Sequence, residues 1–467
     1  MLLVSLRSKA VGNYMAGRQS ITLRQGSNIT PRIIPRADHN ISRANISNSA
    51  LKVLYRLVEA GYEAYLVGGG VRDLLLEREP KDFDIATSAH PEEVKELFRS
   101  CRLIGRRFRL AHVRIGREII EVATFRAGHD ADFDDEDGRT ENGMILRDNV
   151  YGTRDEDAAR RDLSINALYY DIRDFSVIDF ANGVADLEQG LIRMIGDPKA
   201  RYREDPVRVL RALRFAAKLD FELEDATASP IDECAPLLAD IPAARLFEEL
   251  LKLFMTGHAA ASFSVLHQHD VLRFLLPATA NLIEDDDRAL ALVQLALRNT
   301  DDRIAAGKPV TPAFLLAALL WPVLRVHLAG HEVQGMSPGQ ATEQAGGQVI
   351  ADQLSVLAIP KRFSLMAREI WALQPRLLDR RNRRPGKLMD HPRLRAAYDF
   401  LLLRAEAGEP VEEEAAWWTR RLDGQPAQRG DGAGNAEGDA PSGNRRRRRR
   451  RRPRRRPQSE ESNAQPQ

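Results

Sequence analysis

The stretch Leu66-Val67-Gly68-Gly69-Gly70-Val71-Arg72-Asp73, with Asp82-Phe83-Asp84 beginning nine residues after Asp73, leaves this chain few ways to fold. Glu63 to Val67 predicts a short buried strand that stops at the three glycines. Val71, Leu74, Leu75 and Leu76 then resume at helical spacing. A strand, a glycine turn and a helix start in that order present bare backbone N–H groups to an anion, around Gly69 and Gly70. Asp82 and Asp84 lie two apart on a second predicted strand, Asp82 to Ala86, so both carboxylates point to one face and Phe83 points to the core. Two such carboxylates repel unless a divalent cation neutralises them. A phosphate cradle beside a carboxylate pair is equipment for metal-assisted phosphoryl or nucleotidyl transfer. Neither GxxxxGK[ST] nor GxGxxG is matched, so P-loop and dinucleotide readings have no support.

The 467 residues are enough for about two to four domains with a sizeable core. Residues 1–40 are mixed polar and basic, without an apolar run of signal-peptide length, and are expected to be disordered. Order is expected from Ser47, a helix cap followed by Leu51, Leu54, Leu57 and Val58 on one face and Gly61 at the end. No stretch approaches the roughly 20 apolar residues of a transmembrane helix. Cys101 and Cys234 form no CxxC pair, which fits a reducing cytoplasm better than a disulfide framework or a zinc knuckle. A formal charge of +2 hides an asymmetry, because Arg445 to Arg452 and Arg454 to Arg456 contribute eleven positive charges and leave −9 over the rest.

A helix is expected near Pro91, then strands at 102–104, 110–115 and 118–125. On the last, Glu121 shares a face with Ile119 and Ala123; by strand pattern alone a solvent-facing Glu is the commoner reading. The acidic run 130–141 fails an EF-hand register, since Phe133 and Met144 would fall at ligand positions, and reads as a solvated loop. Next come Ala159-Arg160-Arg161-Asp162-Leu163-Ser164-Ile165-Asn166-Ala167-Leu168 and then Glu204-Asp205-Pro206-Val207-Arg208. In the second segment Asp205 stands where an N-cap belongs and Pro206 in the first turn, with Arg208, Arg211 and Arg214 recurring every three residues along a helix. That spacing alone fits a solvated basic face as well as a binding face.

Together, and in this order, the segments resemble the class II nucleotidyltransferases, the family of bacterial poly(A) polymerases and CCA-adding tRNA nucleotidyltransferases. The glycine and Asp-x-Asp segment resembles the first family motif and Arg160 to Leu168 the second, usually RRDFTINAL, with Leu163 and Ser164 in place of Phe and Thr. Asp205 and Arg208 match EDxxR. The resemblance implies an α+β chain: a nucleotidyltransferase head with a small mixed sheet at 41–180, a helical neck at 181–257 entered through a hinge at Asp179 to Leu187, and an all-helical RNA-binding body at 258–423. It implies catalytic Asp82, Asp84, Asp162 and Glu121, with Asp82 and Asp84 holding Mg²⁺. It further implies nucleotide contacts from Gly69, Gly70, Arg72, Arg161, Asp205, Arg208, Arg211 and Arg214. Glu121 and Asp162 remain alternatives for completing the metal site or accepting the proton. The implied substrates are ATP and RNA 3′ ends, and RNA-decay factors are implied partners.

From Pro242 onward the apolar spacing is helical throughout. His267, His269 and Asp270 lack HExxH spacing and read as packed or solvated side chains rather than metal ligands. Arg380 to Arg384 with Lys387 fit an RNA contact or a solvated turn equally well. Residues 424–467 are expected to be a disordered linker and a tail. Its block Arg445, Arg446, Arg447, Arg448, Arg449, Arg450, Arg451 and Arg452 should bind RNA phosphates without sequence choice. Leu103-Ile104-Gly105-Arg106-Arg107-Phe108-Arg109-Leu110-Ala111-His112-Val113 resembles the segment that marks the poly(A) polymerase branch. A CCA-adding enzyme and a catalytically inactive RNA-binding scaffold are the alternatives; the intact Asp82, Asp84, Glu121 and Arg161-Asp162 argue against the second.

Overall fold

Between residues 110 and 124, Ala111, Val113, Ile120 and Val122 are buried while His112, Arg114, Ile119 and Glu121 alternate with them toward the other side. This period-two pattern makes strands with one covered face. The computed structural model describes residues 30–105, 109–127, 150–379 and 386–423. Its head is an eight-stranded sheet of β1 (Arg32–Ile34), β2 (Ala64–Val67), β3 (Asp84–Thr87), β4 (Cys101–Ile104), β5 (Leu110–Ile115), β6 (Glu118–Thr124), β7 (Leu168–Asp171) and β8 (Val177–Asp179). The order is β1-β8-β7-β2-β3-β6-β5-β4. Only β3 and β6 run parallel; every other pair is antiparallel, so the sheet is mixed as expected.

One correction concerns the N-terminus. Disorder was expected through residue 40, yet β1 pairs with β8, Ile33 opposite Ile178, and places this segment in the head. Three residues amid basic and polar neighbours carry too little alternation to announce a strand; the pairing partner supplies the order.

Helix α1 (Asn48–Glu59) starts at Ser47, whose Oγ accepts from the Ala50 N–H at 3.1 Å. It lays Val53, Leu54 and Leu57 against the covered sheet face, which α3 (Pro91–Leu97) also covers through Val94. Between them α2 (Gly69–Leu75) follows β2 after the single residue Gly68. The opposite face is closed only over part of the sheet. There Tyr65, Val67, Ala86, Tyr169 and Ile178 pack with Phe125, Phe180 and Ala158, the last on α4 (Arg154–Ala159). Each such fully buried aromatic or aliphatic side chain contributes about 1.5–3 kcal/mol of transfer free energy.

In the neck, α5 (Gly183–Gln189) is capped by Asp179, whose carboxylate accepts from the N–H groups of Gly183 and Val184. Then α6 (Pro198–Glu204) and α7 (Val207–Leu219) follow, and α7 buries Val209, Leu210, Leu213 and Ala216. A two-stranded parallel ribbon, Leu191–Ile192 with Glu222–Leu223, tightens the neck; strands this short escape pattern reading. Helices from Ala243–Phe254 to Glu412–Asp423 form the body. Among the described residues no single helix is long and apolar enough to cross a membrane; the most apolar pair, Pro312–Leu319 and Trp321–His331, is bent by 54°. The described residues up to 422 form one compact unit. The Arg-rich tail, the acidic run and Arg380 to Arg384 lie outside the described residues.

Candidate active site

β2 and β3 are antiparallel neighbours, with Val67 opposite Asp84. The strand-to-glycine turn therefore arrives beside the Asp-x-Asp segment, as the sequence required. Asp82 is exposed just before β3, Phe83 is buried in the core, and Asp84 is half-buried at the strand's start. The parallel pairing of β3 with β6 puts Asp84 opposite Glu121. Of the two readings of Glu121, solvated strand or third carboxylate of the site, the register brings it to the site while leaving it exposed. Burial, reinforced by the Glu121 and Asp82 charges and partly offset by Arg161, pushes Asp84 up to about 6. Nε2 of His112, opposite Glu121 on β5, lies 3.2 Å from Glu121 Oε1, off the line of a hydrogen bond.

These hard carboxylate oxygens suit Mg²⁺, and the raised Asp84 marks a cluster short of positive charge. Among the described residues no three Asp, Glu, His or Cys groups close around one point. That is compatible with Mg²⁺, which takes one or two carboxylates and fills its shell with water and substrate phosphates.

The glycine turn is shaped by its neighbours. Gly68 has φ +67°, a conformation unfavourable for other residues, and a Cβ there would stand 3.4 Å from Arg161 Nη1. Arg161 is committed: Nη2 donates to Asp157 Oδ2 at 3.0 Å, Nε to the Tyr169 hydroxyl at 2.9 Å and Nη1 to the Asn166 carbonyl at 3.2 Å. Arg72, 2 % exposed, donates to Asp73 and to Asn166 Oδ1 and lies 4.9 Å from the Phe215 ring centre on α7. Its place is a link between the two family motifs and the neck; the expected free nucleotide contact is not what its surroundings favour.

Asp162 is likewise taken. Both Arg211 Nε and Nη2 stand 2.5 Å from its Oδ2, and the Leu163 N–H donates to its Oδ1 at 2.9 Å. Burial alone would raise this carboxyl, but Arg211 outweighs it and holds Asp162 well below the usual carboxylate range. A group so placed is a poor proton acceptor. The pair instead ties the second motif to α7.

At the mouth of the neck, the Arg208 N–H donates to the Asp205 carbonyl at 2.9 Å, while the two side chains turn to other partners. Arg208 donates from Nη1 to Glu204 Oε2 (2.7 Å) and to the Arg201 carbonyl (2.9 Å). Asp205 accepts from Arg245 Nη2 at 2.6 Å and from the Val207 N–H at 3.3 Å; the N-cap of α7 is Pro206, one residue later than the expected Asp205. Sequence reasoning missed Arg245, because it lies 40 residues beyond Asp205 on another helix and nothing local marks it. It also passed over Glu204, although that residue stands inside the matched motif. Arg214 packs 4.6 Å from the Phe215 ring centre and faces the buried Glu249 at 3.8 Å. Burial and the charges of Arg126, Arg201, Arg208 and Arg161 lower Arg160 to about 9. Burial and Arg208, opposed by Glu204 and Asp162, bring Arg201 to about 10. Guanidiniums crowded to this degree are relieved by a polyanion. In the body, His267 stacks on Phe263 and Asp270 pairs with Arg273.

Comparison with known proteins agrees with this geometry. Residues 64–193 match the family described as poly A polymerase head domain, 220–283 the probable RNA and SrmB-binding site of polymerase A, and 334–456 the polymerase A arginine-rich C-terminus. Poly(A) polymerase I of Salmonella typhimurium is 50% identical over 406 residues, 85% of this chain and 87% of that protein. A CCA-adding enzyme of Lactobacillus helveticus is 42% identical over 218 residues, covering 46% of this chain and 52% of its own length. Among solved structures, the Bacillus stearothermophilus CCA-adding enzyme in complex with CTP superposes with TM-score 0.51 at 27% identity, over 80% of this chain and 82% of that one. Similarity to the poly(A) polymerases thus runs through head, neck and body whereas that to the Lactobacillus enzyme spans less than half the chain, and the chain belongs to the bacterial poly(A) polymerase I family.

Proposed function

We propose that the chain is a template-independent polynucleotide adenylyltransferase that adds AMP from ATP to RNA 3′ ends in the cytoplasm and releases pyrophosphate. The observation that carries this reading is the register that sets Asp84 and Glu121 side by side next to Asp82, one strand from the glycine turn. Asp82 and Asp84 would hold Mg²⁺, which when bound stabilises charge on the attacking and leaving oxygens. The RNA 3′-oxygen attacks the α-phosphorus of ATP in line. The bond from that phosphorus to the α,β-bridging oxygen breaks, and the hydroxyl proton leaves toward Glu121 or water. Asp162 takes no proton here; it holds Arg211 in place. The arginine group around Arg160, Arg161, Arg211 and Arg214 neutralises the triphosphate, with the backbone N–H groups at Gly69 and Gly70 beside it. Asp205 and Arg208, fixed by Arg245 and Glu204, offer one acceptor and one donor edge to the base. Pre-fixed partners suit a pocket that reads one base through many additions better than one remodelled between C and A. RNA-decay factors are the protein partners consistent with this activity.

The test is pyrophosphate release from ATP, dependent on Mg²⁺ and a 3′-OH RNA. Asp82→Asn and Asp84→Asn should each abolish it with an unchanged circular dichroism spectrum. Retained turnover in either variant would remove the metal assignment.

A further inference from the structure

Register across the head sets one row of side chains on the face that carries the carboxylates. Asp84 pairs with Glu121, Glu121 with His112, and His112 with Arg102 on β4, so all four point the same way. Two residues along, Ile119 on β6 faces Arg114 on β5. On β2, β3, β7 and β8 the same face is closed by the small aromatic core. On β4 to β6 it is open: Ile119 is 55% exposed, Ile104 39%, and Arg102 and Arg114 are exposed. Among the described residues the side chains of these two arginines lack a carboxylate partner, and Arg114 Nε donates to the Gly116 carbonyl at 3.2 Å. The guanidiniums of Arg161, Arg208 and Arg211, by contrast, are already held by Asp157, Glu204 and Asp162. An adenylyltransferase binds two polyanions, and the neck cations account for one of them.

We propose that the open face of β4, β5 and β6 is the track for the RNA acceptor, a conclusion that rests on the activity proposed above. The phosphates of the 3′-terminal nucleotides lie on Arg102 and Arg114, a base rests on Ile119, and the terminal hydroxyl reaches Asp84 and Glu121. With strands about 4.8 Å apart, three steps place Arg102 about 14 Å from Asp84. The row is continuous with the catalytic carboxylates, and its charge is complementary to RNA.

The experiment measures extension of an unstructured 3′-OH RNA by the full chain with Mg²⁺, varying RNA, ATP and salt in turn. Arg102→Ala/Arg114→Ala should raise KM for RNA tenfold or more, leave KM for ATP within twofold, and flatten the log–log salt dependence by about 1.4, about 0.7 for each single-strand phosphate that is no longer neutralised. Ile119→Ala should raise KM for RNA without changing the salt slope, and Ile119→Phe should restore it. Unchanged RNA KM and slope in the double variant, with the wild type active, would overturn the track. An inactive wild type would overturn the activity itself, and the two failures are therefore distinct.

Discussion

Asp84 is the side chain whose environment says most. Its carboxyl is pushed to about 6 by burial, Glu121 and Asp82, so the folded chain holds that proton more tightly than the unfolded chain does. Ionising it therefore costs stability as pH rises from about 4 to about 6, by up to about 3 kcal/mol at about 1.4 kcal/mol per unit. Calorimetry at pH 8 without Mg²⁺ should find Asp84→Asn melting above the wild type, and Mg²⁺ should raise the wild-type melting temperature but not the variant's. A variant that melts lower would contradict the carboxylate cluster. Turnover of the wild type should fall as pH drops through about 6 and hold to lower pH as Mg²⁺ is raised. At the proposed base-reading site, Arg208→Ala should relax the preference for ATP over CTP by about 1–3 kcal/mol, measured as a ratio of kcat/KM. Asp82 and Asp84 stood out because two carboxylates at strand spacing follow the glycine turn, whereas Asp205 and Arg208 were singled out only by resemblance to the family motif. The sequence disclosed neither Arg245 nor the true surroundings of Arg72 and Asp162, because their partners are distant in the chain.

At the scale of elements, α7 couples head and neck. Arg211 grips Asp162, and Phe215 lies against Arg72. Breaking one member of a fully buried ion pair costs about 3–5 kcal/mol; Arg211 is 33% exposed, so about 3 kcal/mol is the upper limit for this pair. Urea unfolding of Asp162→Asn and Arg211→Met should each show a loss of this order, and the double variant should lose less than the sum. Additive losses would mean that the pair carries no coupling. The strands β2 to β6 and the helices α1, α3 and α7 were readable from alternation, caps and apolar spacing. β1 and the ribbon of Leu191–Ile192 with Glu222–Leu223 were not, since two or three residues hold no period and are strands only because a neighbour pairs with them. The order of strands in the sheet was also beyond the sequence. It is this order, with β3 beside β6, that makes the exposed Glu121 a neighbour of Asp84.

For the whole molecule, a body of net −9 carries eleven arginines near its C-terminus, which suits capture of RNA by the tail and chemistry in the head. Deleting residues 440–467 should weaken RNA binding and flatten its salt dependence while leaving turnover on saturating RNA nearly unchanged. An unaltered salt slope would assign the tail to another partner. In the proposed activity, one adenine-selective site extends RNA without a template. The direct measurement offers the purified chain an unstructured 3′-OH RNA, or a tRNA ending in CC, with Mg²⁺ and each nucleoside triphosphate in turn. Long tails with ATP on either RNA, and far poorer use of CTP, are the expected result. Addition of a single A to the tRNA, with no extension of the unstructured RNA, would contradict it.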